Sequence, residues 1–171
     1  MEYINHYFSP LGPLTLASDG TSLIGLWFDG QQHDRSTLKG IPLEEDLPVF
    51  ALTRTWLDTY FRGVVPEFLP PLALQGTPFQ KAVWNILLKV PYGKTITYGS
   101  IAERLNGSPE SRMSAQAVGN AVARNPISLL VPCHRVVGAD GSLTGYAGGI
   151  EKKKALLTME QGQHLLDRFD L

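Results

Sequence analysis

Prolines divide this chain into two unlike halves. Pro66-Glu67-Phe68-Leu69-Pro70-Pro71 interrupts any regular element, because proline lacks the backbone donor that helices and sheets need. Before it lie short strand patterns. Ser9-Pro10-Leu11-Gly12-Pro13 and Ser18-Asp19-Gly20 read as turns bounding strands at Leu14–Ala17 and Leu23–Phe28, which together make a small antiparallel sheet. Residues 29–46 are polar and turn-rich, a variable loop, and Leu52, Trp56, Leu57 and Tyr60 predict a helix from about Val49 to Phe61. After the break the pattern is helical. Thr77-Pro78-Phe79-Gln80 is a capping box opening a helix with Phe79, Val83, Ile86, Leu87 and Val90 inward, and Pro91-Tyr92-Gly93 ends it. Ser100-Ile101-Ala102-Glu103 is a second capping pattern, stopped at Asn106-Gly107. A longer helix, Ser111 to Arg124, ends at Asn125-Pro126, and a last one covers Ile150 to Gln161. Short helix, turn, longer helix is a helix-turn-helix layout. The expected fold class is mixed α/β (α+β): a sheet-plus-helix lobe over residues 1–76, and a mainly helical domain over residues 77–171, with the boundary near 65–76.

With 171 residues, 43% hydrophobic and 18% charged, the chain can bury a real core and is not a disordered sequence. No apolar run is long enough to cross a bilayer, and Met1-Glu2-Tyr3-Ile4-Asn5-His6 has neither the basic start nor the apolar centre of a signal peptide. One cysteine cannot form an internal disulfide, which fits a reducing, cytoplasmic setting. The net charge of −1 conceals an asymmetry: residues 1–76 hold 4 Lys/Arg against 9 Asp/Glu, and residues 77–171 hold 11 against 7. A basic half points to an anionic ligand.

The single cysteine, Cys133, stands in Val131-Pro132-Cys133-His134-Arg135-Val136-Val137. A thiol beside an imidazole suits nucleophilic chemistry at sulfur, and the same thiol among valines suits a buried small hydrophobe. Upstream, Arg112, Gln116, Asn120 and Arg124 recur every fourth residue as one polar stripe, while Ala115, Ala117, Gly119 and Ala123 keep the helix surface low. This fits a helix lying on DNA and equally a solvated amphipathic face. Lys152, Lys153 and Lys154 read as phosphate contacts or as a wet helix face. Gly93-Lys94-Thr95 lacks the earlier glycine of a phosphate-binding loop, the position being Leu88. His6, His33, His134 and His164 are scattered, so no metal and no cofactor are expected.

The chain resembles the O6-alkylguanine-DNA alkyltransferases, also called methylated-DNA–protein-cysteine methyltransferases. Val131 to Val137 match the family signature, and Thr77-Pro78-Phe79-Gln80, Tyr98, Asn125-Pro126, Gly145-Tyr146-Ala147-Gly148-Gly149 and Glu160 follow it in order and register. The N-terminal half is similar in length and in Ser9-Pro10-Leu11-Gly12. The resemblance implies an RNase H-like N-terminal lobe and a winged-helix-like C-terminal domain. It implies direct-reversal repair: O6-alkylguanine, and O4-alkylthymine, flipped out of duplex DNA and dealkylated by irreversible transfer to Cys133, once per molecule. His134 then acts as base through a bridging water, oriented by Glu160. A relay suits an extended segment, where adjacent side chains point apart. Tyr98 donates to the departing guanine, the carbonyls of Cys133 and Val136 hold its exocyclic amine, and the Ala147 N–H meets O6. Tyr146 lines the pocket, and Asn125 braces the turn before the cysteine. Arg112, Ser114, Ala115, Gln116, Asn120, Arg124 and Arg135 are the implied contacts to double-stranded DNA, approached through the minor groove by a monomer with no membrane partner.

Gln116 stands where relatives carry the arginine that replaces the flipped base. Exchanging a charged donor for an amide lowers such a bond from about 1.5–3 kcal/mol toward about 0.5–1.5, so weaker DNA binding or flipping is expected, with Arg112 one turn earlier as compensation. The small Ala147 suggests tolerance of groups larger than methyl, and an adduct in a packed pocket should strain its neighbours. A sensor of alkylated guanine would lack the acceptor cysteine. A cysteine hydrolase would need an oxyanion site, and a plain DNA-binding regulator would leave Cys133 unexplained.

Overall fold

The computed structural model describes residues 1–106 and 115–162. Three antiparallel strands, β1 (Tyr3–Ser9), β2 (Gly12–Ser18) and β3 (Leu23–Phe28), make the N-terminal sheet, and β4 (Leu43–Glu44) adds in parallel to β1, giving the order β3-β2-β1-β4. The β1–β2 hairpin closes with Ser9 opposite Gly12. Gly12 holds a φ of +118°, a region that side-chain-bearing residues avoid. β3 is buried on both faces, which is why it reads as an unbroken apolar run. Helix α1 (Pro48–Phe61) covers one face through Phe50, Trp56, Leu57 and Tyr60. The other face carries a small cluster of Ile4, Ala17, Ile24 and Trp27, closed by Leu38 and Ala73. The loop after β3 and the proline-rich linker therefore form the second cover of the sheet.

The strand β1 precedes those that turn signals delimit, because its residues are mostly half-buried and show no clean alternation. The two-residue β4 lies in what reads as a variable loop, too short to leave a pattern.

In the C-terminal half, α2 (Pro78–Leu87) has the full capping box: Thr77 Oγ1 accepts the Gln80 N–H at 3.1 Å and Gln80 Oε1 accepts the Thr77 N–H at 3.0 Å. Strand β5 (Ile96–Thr97) pairs in parallel with β6 (Val136–Val137), between which run α3 (Tyr98–Asn106) and α4 (Ala115–Ala123); α5 (Ile150–Glu160) follows. The helix expected from Ser100 starts two residues earlier, because Thr97 Oγ1 accepts the Ser100 N–H at 3.0 Å and takes the capping role. The start expected for α4, at Ser111, lies outside the described residues.

The halves meet along β3. Its open edge receives the linker, through Leu23 N–H to Pro71 O at 2.7 Å and Ala73 N–H to Leu23 O at 2.9 Å. It also receives the segment leading to Cys133, through Leu26 N–H to Pro126 O at 2.8 Å and Ser128 N–H to Leu26 O at 2.9 Å. An edge that would invite aggregation is thereby closed. One core runs through both halves, from Leu16 and Phe50 to Trp84, Ile127 and Leu156. Among the described residues, no helix is long and apolar enough to cross a membrane.

Candidate active site

The turn that delivers Cys133 is built by Asn125. Its Nδ2 donates to Val131 O at 2.7 Å and its Oδ1 accepts the Ile127 N–H at 2.9 Å, so one buried amide spans the loop after α4. Inside that loop Leu129, 1% exposed, adopts a φ of +72°, a strained conformation for a bulky residue. Cys133 then opens a 3-10 turn, Cys133–Arg135, rather than the extended segment expected, because the Val136 N–H folds back to Cys133 O. That carbonyl keeps one lone pair for a further donor.

Cys133 is buried, and burial pushes its thiol up to about 11, against pulls from Asn125 and the positive charge of Lys153. The thiol is neutral at pH 7, so a nucleophile requires a base. The adjacent His134 supplies one. It is fully buried, and that burial holds its imidazole below the usual value, hence neutral. Its Nε2 lies 2.6 Å from Glu160 Oε2, which places the ring proton on Nε2 and the lone pair on Nδ1. Nδ1 is buried with no protein partner.

Glu160 gathers donors from four residues on three segments. Besides His134, Tyr60 Oη donates to Oε2 at 2.6 Å, Arg135 Nε to Oε1 at 2.8 Å and NH2 to Oε2 at 3.1 Å, and the Gly93 N–H to Oε1 at 3.1 Å. Burial alone would push the carboxyl up, but the hydrogen bonds from His134 and Arg135 and the charge of Arg135 outweigh it and hold it at about 2. Arg135, expected at the DNA, points into the protein in this structure. Its guanidinium is buried, committed to Glu160 and to Val90 O at 2.8 Å, with Tyr92 beneath it.

Above Cys133 opens a cavity of about 200 Å3, walled by Tyr98, Val122, Ala123, Tyr146, Ala147 and, from the N-terminal lobe, Gln32. Gly119 also lines it, against the Tyr98 ring. The small residues of α4 thus shape this pocket as well as the helix surface. Tyr98 Oη accepts the Thr144 hydroxyl at 3.2 Å, leaving its own proton free. Thr144 is held in turn by Lys153, whose Nζ donates to Thr144 O at 2.8 Å and to Gly145 O at 3.4 Å. Lys153 is fully buried, and burial draws its ammonium down to about 8, with Cys133 opposing. Val136 is buried in β6.

Three of these residues escape motif reasoning. Tyr60 follows Trp56 and Leu57 on the inner face of α1, Lys153 precedes Leu156 and Glu160 on the inner face of α5, and helical spacing is the signal that places them inside. Gln32, in an irregular loop, leaves no such signal. On α4, Ala115, Gln116, Asn120 and Arg124 are exposed together. Arg112 and Ser114, expected beside them, lie outside the described residues.

Two family profiles match the chain: "6-O-methylguanine DNA methyltransferase, ribonuclease-like domain" over residues 3–74, and "6-O-methylguanine DNA methyltransferase, DNA binding domain" over residues 78–162. The methylated-DNA–protein-cysteine methyltransferase of Mycobacterium leprae is 46% identical over 157 residues, covering 92% of this chain and 91% of that protein. Its counterpart in Haemophilus influenzae is 41% identical over 160 residues, covering 93% and 86%. The crystal structure of Mycobacterium tuberculosis OGT in complex with DNA superposes with a TM-score of 0.84 at 42% identity, covering 98% of this chain and 99% of that one. With both halves matched in order around an acceptor-type cysteine, the chain belongs to the methylated-DNA–protein-cysteine methyltransferase family.

Proposed function

We propose that this protein repairs alkylated DNA by taking the O6-alkyl group of guanine, or the O4-alkyl group of thymine, onto Cys133, once per molecule. The observation that carries the reading is a buried thiol at the floor of a base-sized cavity, beside a neutral imidazole whose free Nδ1 has no other partner. The proton of Cys133 passes to His134 Nδ1 through one water, and Glu160 stabilises the imidazolium that forms. The thiolate attacks the alkyl carbon in line. A sulfur–carbon bond forms as the carbon–O6 bond breaks, and the electron pair left on guanine meets the Ala147 N–H and the Tyr98 proton. Tyr98 can donate because Thr144 fills an acceptor site on its oxygen. Asn125 holds the turn, and Tyr146 closes the pocket. The thioether has no route back to a thiol, so the protein is consumed.

A stacked base cannot reach a buried thiol, so the nucleotide must leave the duplex. The exposed face of α4 supports a minor-groove approach: Ala115 leaves room for close contact, while Gln116, Asn120 and Arg124 offer donors. The DNA-bound relative supports DNA as the partner. We place Arg135 with the base that acts on the thiol, holding Glu160, and not on the DNA. A monomer suffices for this step, because Cys133, His134, Glu160 and Tyr98 all belong to one chain.

Titrating a fixed amount of protein against excess duplex carrying one O6-methylguanine tests the reading. Repaired duplex should plateau at one equivalent of protein. Continued turnover, or no repair, contradicts it.

A further inference from the structure

The N-terminal lobe reaches the reaction cavity at one residue, Gln32. Its N–H donates to Ala147 O at 3.1 Å, so it sits against the residue whose own N–H is aimed at O6. The loop that carries it is firmly held. Gln31 Oε1 accepts the Phe28 N–H at 2.8 Å, Gly30 N–H donates to Asp34 Oδ2 at 2.9 Å, and Asp29 N–H donates to Pro13 O at 3.0 Å. The same lobe abuts the glycine loop a second time. A Cβ on Gly148 would stand 3.1 Å from Phe28 Cδ2, so the glycine loop packs closely on the end of β3. The Gln32 side chain is exposed and makes no hydrogen bond among the described residues.

We propose that Gln32 sets the size of the O6-substituent that the pocket accepts. The inference rests on assigning this cavity to the alkylated base. At about 200 Å3, the cavity is smaller than the roughly 300–1,000 Å3 of drug-sized sites. Tyr146, Ala147, Val122 and Ala123 line it together with the buried Cys133 and the exposed Gln32. A substituent that outgrows a methyl group on the buried Cys133 has to extend toward the exposed lining, to which Gln32 belongs. A residue of the lobe that carries no reacting group thus filters the substrates.

The test compares single-turnover rates on duplexes carrying O6-methylguanine or O6-benzylguanine, for wild type, Gln32→Ala and Gln32→Phe. Both variants keep the N–H that meets Ala147 O, so they alter the rim without releasing the loop. The benzyl-to-methyl rate ratio should rise about tenfold in Gln32→Ala and fall about tenfold in Gln32→Phe, the scale on which pocket size discriminates substrates. A ratio that stays put in both variants, or moves the same way in both, overturns the proposal while methyl transfer by wild type leaves the repair reading intact. A wild type that transfers neither group overturns both.

Discussion

Tyr60 and Glu160 lie 100 residues apart in sequence and are joined by a 2.6 Å hydrogen bond in the buried interior. Tyr60 belongs to the N-terminal lobe and Glu160 closes the last helix, so the lobe that carries no nucleophile completes the charge network behind the base. Tyr60 Oη also stands 3.3 Å from His134 Nε2, which puts the carboxylate, the imidazole and the phenol in one cluster.

Tyr60→Phe tests that link. Removing a donor from a buried carboxylate costs about 1.5–3 kcal/mol, and the ring is retained for packing on Trp56 and Phe61. Unfolding in urea should show a loss of that size, together with slower alkyl transfer. Unchanged stability would mean that Arg135, His134 and Gly93 satisfy Glu160 without it.

Lys153→Met tests the buried ammonium. Loss of a charge-assisted bond worth about 1.5–3 kcal/mol corresponds to transfer slower by about 10- to 150-fold. The Cys133 thiol, already at about 11 through burial, should move higher still, read as a shift of the pH midpoint for alkylation by iodoacetamide. An unmoved midpoint would reduce Lys153 to a tether for the Thr144 and Gly145 carbonyls.

Acid should unfold the protein in two overlapping steps. His134 is a base whose folded value lies below 6.5 through burial. The unfolded chain therefore takes up its proton first, and stability falls as pH drops below about 6.5. Glu160 is an acid held at about 2 against 4.5 when free. Its contribution is complete above about 4.5 and is lost as pH falls toward 2. Denaturant titrations from pH 7 to pH 3 should show a continuous decline. A flat profile would contradict the buried ionised network.

Gln116→Arg restores a charged donor on the exposed face of α4. It should strengthen binding by about 1 kcal/mol and raise the repair rate on duplex DNA, with a steeper salt dependence. No change in either would show that Gln116 already serves the DNA step fully.

What the sequence discloses follows its chemistry. Cys133, His134 and Asn125 sit in short contiguous patterns and are legible at once, as are strands β2 and β3 and the capped helix α2. Tyr60, Lys153 and Gln32 enter the site only after folding brings distant segments together. Each resembles an ordinary residue of its neighbourhood: an aromatic on a helix, one lysine of three, a glutamine in a polar loop. Arg135 misleads for the opposite reason. The family resemblance implies a DNA contact at this position, whereas the 3-10 turn directs the guanidinium inward onto Glu160. The pair β5–β6 escapes notice because two residues carry no periodicity.

Repair by this protein turns on transfer of the alkyl group to Cys133, which intact mass spectrometry reads as a change in the protein's own mass. The protein is incubated with a duplex containing one O6-methylguanine, with Cys133→Ser as control. Wild type should gain one methyl group and the control none. Tight lesion binding with no gain in mass, or a gain that persists in Cys133→Ser, would contradict transfer to Cys133.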